Sequence, residues 1–173
     1  YDPHIWMDPG NAMIMVENIQ KGLSQADPDH AQTYFDNLIE ALALLNSWDS
    51  NLQEMIQEAE QESSVTISGL ITFHDGFQYF AKALDLHLLA IEEEEGSEAS
   101  AQVINETVSL VKENNIPIIF TEINGSDATA QAIARETGCQ VGQLTMLMDG
   151  PNDGKLSNYL DGLSSNVKTI VNG

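Results

Sequence analysis

The chain has 173 residues, 42% of them apolar and spread along its whole length, which allows a sizeable core and excludes general disorder. Its 27 acidic residues against 6 basic ones give a formal net charge of -21, a field that disfavours nucleic acid and anionic lipid as partners and gathers cations. No apolar run is long enough to span a bilayer, and the single Cys139, with no second cysteine for a disulfide or a zinc knuckle, reads as a small buried side chain.

The chain opens on Tyr1-Asp2-Pro3-His4 with no initiator Met, and the expectation is that a further segment precedes it. Asp8-Pro9-Gly10-Asn11 supplies cap and first-turn residues, after which Met13, Val16, Ile19 and Leu23 recur at helical spacing; this predicts a first helix ending near Gly22. Asp27-Pro28-Asp29 opens a second pattern whose apolar stripe, from Tyr34 through Leu38, Leu45 and Leu52 to Ile56, lasts as far as about Ala59. A helix of some thirty residues extends roughly 45 Å, a length that suits a strut between lobes better than a core helix.

From Val65 the pattern changes. Short apolar runs at Val65 to Ile71, His87 to Ile91 and Ile116 to Thr121 alternate with helical patterns at Gly76 to Ala83, Ser97 to Asn114 and Ala128 to Thr137. A weaker strand, Gln140 to Leu144, and a last helix from about Ser157 to Val171 follow, separated by a loop dense in turn formers. Strand and helix in alternation imply an α/β fold with a parallel sheet flanked by helices. The acidic run Glu92 to Glu95 reads as a solvated loop.

Two of the four histidines stand in settings that favour ligation. His4 lies between two Asp-Pro steps and beside Trp6, and His74 follows the apolar run Leu70 to Phe73, at the carboxyl end of the first strand, the edge at which α/β sheets bind ligands. Imidazole is the usual ligand for zinc, and a binding site draws on residues distant in sequence. Taken alone, either ring is as readily a buried histidine bonded to a backbone carbonyl. His30 and His87 read as structural. No nucleophile elbow, zinc-protease helix, phosphate-binding loop or dinucleotide turn is present, so the chain reads as a non-enzyme.

The residues resemble the metal-specific solute-binding proteins of bacterial ABC importers, the ZnuA/TroA/PsaA-like cluster. Asp2-Pro3-His4-Ile5-Trp6-Met7-Asp8-Pro9 looks like that family's DPHxWLDP segment, and Phe73-His74-Asp75-Gly76-Phe77-Gln78-Tyr79-Phe80 is similar to its third-ligand stretch. Gly96 to Ala101 resembles its EPSA helix start, with alanine for proline, and Ile118 to Glu122 its strand ending in Glu. The match runs in order through essentially the whole chain.

The resemblance implies two α/β lobes joined by one rigid helix, with the metal in the cleft between them. Residues 1–26 are then the end of an amino-terminal lobe otherwise absent here, 27–62 the linking helix and 63–173 the carboxy-terminal metal-binding lobe. It implies His4 and His74 as ligands; the family's Asp after the last strand falls on Thr145 or Leu147, which leaves Asp149, Glu122 or a water for the remaining position. Histidine at 74, where manganese-type relatives look to carry Glu, favours Zn(II), with Mn(II) or Fe(II) as alternatives. The implied role is extracytoplasmic, in the periplasm or as a surface lipoprotein: capture of Zn(II) and delivery to an ABC permease. Adhesion as a second role, and a zinc hydrolase using Glu122 to activate water, are the rival readings.

Overall fold

The computed structural model describes residues 1–63, 69–90, 99–123, 125–148 and 159–173. A single 3-10 turn, Ile5–Met7, leads into α1 (Pro9–Ala26). Asp8 caps that helix, its Oδ1 accepting the Gly10 N–H at 2.7 Å, with Pro9 in the first turn, where a missing N–H costs nothing. The helix runs through Gly22, where the sequence pattern placed its end. Gly22 is exposed and costs an estimated ~1 kcal/mol against Ala, but the packing of α1 along the next helix carries it on to Asp27-Pro28, which stops it.

A 3-10 turn at Pro28–His30 precedes α2 (Ala31–Ser63), 33 residues and about 50 Å long. It starts four residues after Asp27, where the sequence reading began it, and outlasts the expected end at Ala59. It is not a bare rod: its first part lies along α1 and its second part against α6. Leu45 packs with Ala12 and Leu160, and Leu52 and Ile56 enter the main core.

Four strands follow: β1 (Gly69–Thr72), β2 (His87–Ala90), β3 (Ile118–Glu122) and β4 (Gln140–Leu144). They form one sheet in the order β2-β1-β3-β4, with every pairing parallel. The connecting helices are α3 (Gln78–Ala83), α4 (Ala101–Asn114) and α5 (Ala128–Thr137), and α6 (Tyr159–Val171) closes the chain. Ser100 caps α4, accepting the Val103 N–H, and Gly138 at φ 81° ends α5. The expected α/β class holds, with a parallel sheet flanked by helices.

Successive strand residues point to opposite faces, and the core divides accordingly. Leu70, Phe120 and Leu144 face a layer made by α2, α3 and α6, with Leu52, Phe77, Phe80, Leu163 and Val167 buried there. Ile71 and Ile119 face α4 and α5, against Val111, Ala130 and Ile133. Cys139, expected as a buried side chain, is only half-buried at the rim of this second layer, because it leaves α5 just before β4 starts. Among the described residues no helix is long and apolar enough to cross a membrane. Residues 65–68, Glu92 to Glu95, Gly96 to Glu98, the loop with Asp149, and residues 157–158 lie outside the described residues.

Candidate metal centre

The strand order fixes where a site can form. The chain leaves β1 towards β2 on one side and leaves β3 towards β4 on the other, so the strand order reverses between β1 and β3. In open parallel sheets the crevice beyond the carboxyl ends at such a reversal is the place for a ligand. Thr72 of β1 pairs with Phe120 of β3. Two residues on, in the bend that follows β1, His74 comes beside Glu122 at the end of β3, and His74 Nδ1 lies 3.0 Å from Glu122 Oε1. Thr72 Oγ1 donates to the His74 carbonyl at 3.0 Å and holds the turn that leaves β1.

His4 reaches the same place from the start of the chain. Its ring lies 5.5 Å from that of His74, centroid to centroid, at 81°. Two imidazoles bound to one tetrahedral zinc at a Zn–N distance of about 2.0 Å have centroids roughly 5 Å apart, so the pair is already near coordination spacing. His4 is largely enclosed, its side chain 13% exposed, whereas His74 at 46% faces solvent.

Both rings have a carboxylate beside Nδ1. Asp2 Oδ1 lies 2.7 Å from His4 Nδ1 and also accepts the His4 backbone N–H at 2.9 Å. An ionised carboxylate only accepts, so Nδ1 of His4 carries a proton, and in the neutral ring Nε2 is the nitrogen left for a metal. Carboxylate–imidazole pairs of this kind fix the tautomer and raise the basicity of a ligating nitrogen. Glu122 Oε1 makes a charge contact with His74 Nδ1 at 3.0 Å and not a hydrogen bond, so it does not fix the tautomer of that ring. Glu122 sits against the His74 ring rather than standing apart from it. Among the described residues no three His, Cys, Asp or Glu side chains form a ready-made coordination set.

The turn bearing His4 is fastened to the sheet by residues that the sequence pattern did not single out for this role. Trp6 Nε1 donates to the Met146 carbonyl at 2.9 Å, and the Tyr159 hydroxyl donates to the Trp6 carbonyl at 2.7 Å. Burial, followed by the negative charges of Asp8 and Asp49, pushes the Tyr159 phenol well above its ordinary pKa, so it remains a donor. Thr145, at the exit of β4, is bracketed by the buried amide of Asn166, whose Oδ1 accepts the Thr145 N–H and whose Nδ2 donates to its carbonyl, both at 2.8 Å. The only advance signals were the place of Trp6 beside His4 and of Met146 in the run after the last strand.

Gly76 completes the centre. A Cβ on this residue would overlap Met146 Sδ and stand 2.9 Å from His74 Cδ2 and 3.4 Å from His4 Cε1, so only glycine lets these three side chains meet. An open depression of about 410 Å³ lined by Asp75, Gln78, Lys82 and Asp85 contains neither histidine, and Lys82 there opposes a cation. His30 is exposed and bonded to Asp27, and His87 starts β2; neither approaches the centre.

The sequence profile of the ZnuA family, the periplasmic component A of a zinc-uptake complex, matches residues 1–173. The chain belongs to the ZnuA family. Its ZnuA relatives include the iron-binding protein YfeA of Yersinia pestis, 31% identical over 99% of this chain and 55% of that protein. The zinc-binding lipoprotein AdcA of Streptococcus pneumoniae is also 31% identical, over 98% of this chain and 33% of AdcA. A crystal structure of ZnuA superposes with a TM-score of 0.85 at 31% identity, covering 99% of this chain and 62% of that one. The chain thus spans between a third and somewhat over half of the length of these relatives. ZnuA-family proteins are extracytoplasmic metal-binding components of uptake systems rather than enzymes.

Proposed function

We propose that this chain is the carboxy-terminal portion of an extracytoplasmic solute-binding protein that captures Zn(II) and hands it to the permease of an ABC importer. The observation that carries this reading is the meeting of His4 and His74, far apart in the sequence, at the reversal point of the sheet. Neutral imidazoles with free Nε2 atoms suit zinc, a borderline-soft ion, better than the oxygen-seeking manganese. Iron or manganese is the second choice, because YfeA is an iron-binding relative. Asp149 or Glu122 supplies a further ligand; Glu122 stands beside His74 and can turn to the metal as it enters.

In this reading residues 1–26 end a first lobe, 27–62 are the linking helix and 63–173 form the second lobe. The relatives' greater length supports a further lobe of the same polypeptide. So do Ile14, Ile19, Leu23, Phe35 and Ile39 along α1 and α2, which are 44% to 57% exposed, apolar surface that a neighbouring lobe would cover. Protons compete with metal for the imidazole lone pairs, so acidification weakens binding.

Calorimetric titration of the complete protein with zinc and with manganese, comparing wild type with His4→Ala and His74→Ala, tests the proposal. Zinc should bind more tightly than manganese, and each substitution should weaken zinc by at least about tenfold. Unchanged zinc affinity in both variants would refute it.

A further inference from the structure

The donor set around the two imidazoles includes an atom of a different kind. Of the atoms around the point where a Cβ on Gly76 would stand, Met146 Sδ is the nearest, followed by His74 Cδ2 and His4 Cε1. Each of those carbons is bonded directly to the Nε2 of its ring, while His4 Nδ1 is taken by Asp2 and His74 Nδ1 has the Glu122 carboxylate beside it. The two imidazole edges and the thioether therefore come together beside Gly76.

Met146 is held there by its backbone as well as by its packing. Asn166 brackets the residue before it, and Trp6 donates to its carbonyl. Leu147 donates its N–H to Thr145 Oγ1, takes a left-handed φ of 60° and lays its side chain on Gly162. That arrangement turns the side chains of Thr145 and Leu147 to other tasks and leaves Met146, 8% exposed, as the β4-exit residue beside the histidines.

We propose that Met146 Sδ is a donor to this centre and that the site thereby accepts soft monovalent d10 cations, Cu(I) in chemical class, on two imidazoles and one thioether. This rests on the histidine pair being the metal site and adds to it a ligand and a second cargo. A thioether contributes little to a hard ion and much to a soft one. The three donors are themselves uncharged, which suits a cation of single positive charge, and the Asp2 carboxylate stands behind the His4 ring.

The ordinary occupation of a buried Met is to fill space, and Met146→Leu separates the two roles because it conserves volume and keeps the fold. Cu(I) affinity of the complete protein is measured anaerobically by competition with a chromophoric Cu(I) chelator, and Zn(II) affinity by the equivalent zinc competition. X-ray absorption at the copper edge reports whether sulfur is bound. Wild type should show a sulfur scatterer that Met146→Leu lacks, with Cu(I) affinity lowered at least about tenfold and Zn(II) affinity changed by less than about threefold. Cu(I) affinity equal in the two proteins, a copper spectrum with no sulfur, or a wild type that does not bind Cu(I) would each overturn the assignment. Zinc binding indifferent to both His4→Ala and His74→Ala would instead remove the histidine site on which it rests.

Discussion

The Tyr159 hydroxyl holds the backbone of Trp6 at 2.7 Å, tying the first turn of the chain to its last helix. Trp6 in turn grips the Met146 carbonyl, so the placement of His4 depends on α6 and on the exit of β4.

Tyr159→Phe leaves the Trp6 carbonyl without its donor, and the expected cost is about 1–2 kcal/mol in denaturant unfolding, with a weaker zinc complex. The pH dependence has a definite sign. The folded phenol titrates above its unfolded value, so its contribution is fully present below about pH 10 and declines as pH rises beyond that. The gap in stability between wild type and Tyr159→Phe should therefore narrow in alkaline solution.

Asp49 gives the opposite kind of test. Partial burial, followed by the charge of Asp8, raises its carboxyl pKa, so the fold prefers it neutral. That preference helps stability below the unfolded carboxylate range and is lost as pH rises through the folded value. Asp49→Asn should leave stability unchanged near pH 3 and raise it at pH 7, by no more than about 0.5 kcal/mol because solvent screens the site. Thermal melts at the two pH values check this.

Gly76→Ala places a methyl among Met146, His74 and His4. The expected cost is about 1–3 kcal/mol, together with a loss of zinc affinity larger than that of a surface substitution. Parallel unfolding and zinc titrations separate the two effects.

Asp2→Ala frees the His4 ring to turn. Its expected signature is a zinc affinity lower by about 10–100-fold with the helix content and melting midpoint nearly preserved, measured by competition titration and circular dichroism.

Much of this arrangement is legible in the sequence, and what escapes it does so for physical reasons. The runs around Leu70, Leu88 and Ile119 announce parallel strands because each is short, apolar and followed by a helical period, while Gln140 to Leu144 is a weaker signal. His4 and His74 stand out because rigid Asp-Pro steps flank one and a strand end precedes the other, and their rings do converge; their ligation of metal is a proposal for experiment. The pairing of His74 with Glu122 follows only from the register of Thr72 with Phe120, which no spacing rule supplies. Met146 reads as core in any hydropathy pattern, and only the close approach at Gly76 gives its sulfur a neighbourhood. The end of α1 was misplaced because local glycine preference was weighed without the packing of α1 against α2.

The most direct measurement is diffraction from zinc-loaded crystals of the complete protein at the zinc absorption edge. The account predicts one strong anomalous peak between residues 4 and 74, about 2.0–2.1 Å from Nε2 of each ring. A zinc peak elsewhere, with those two nitrogens bound only to solvent, would contradict it.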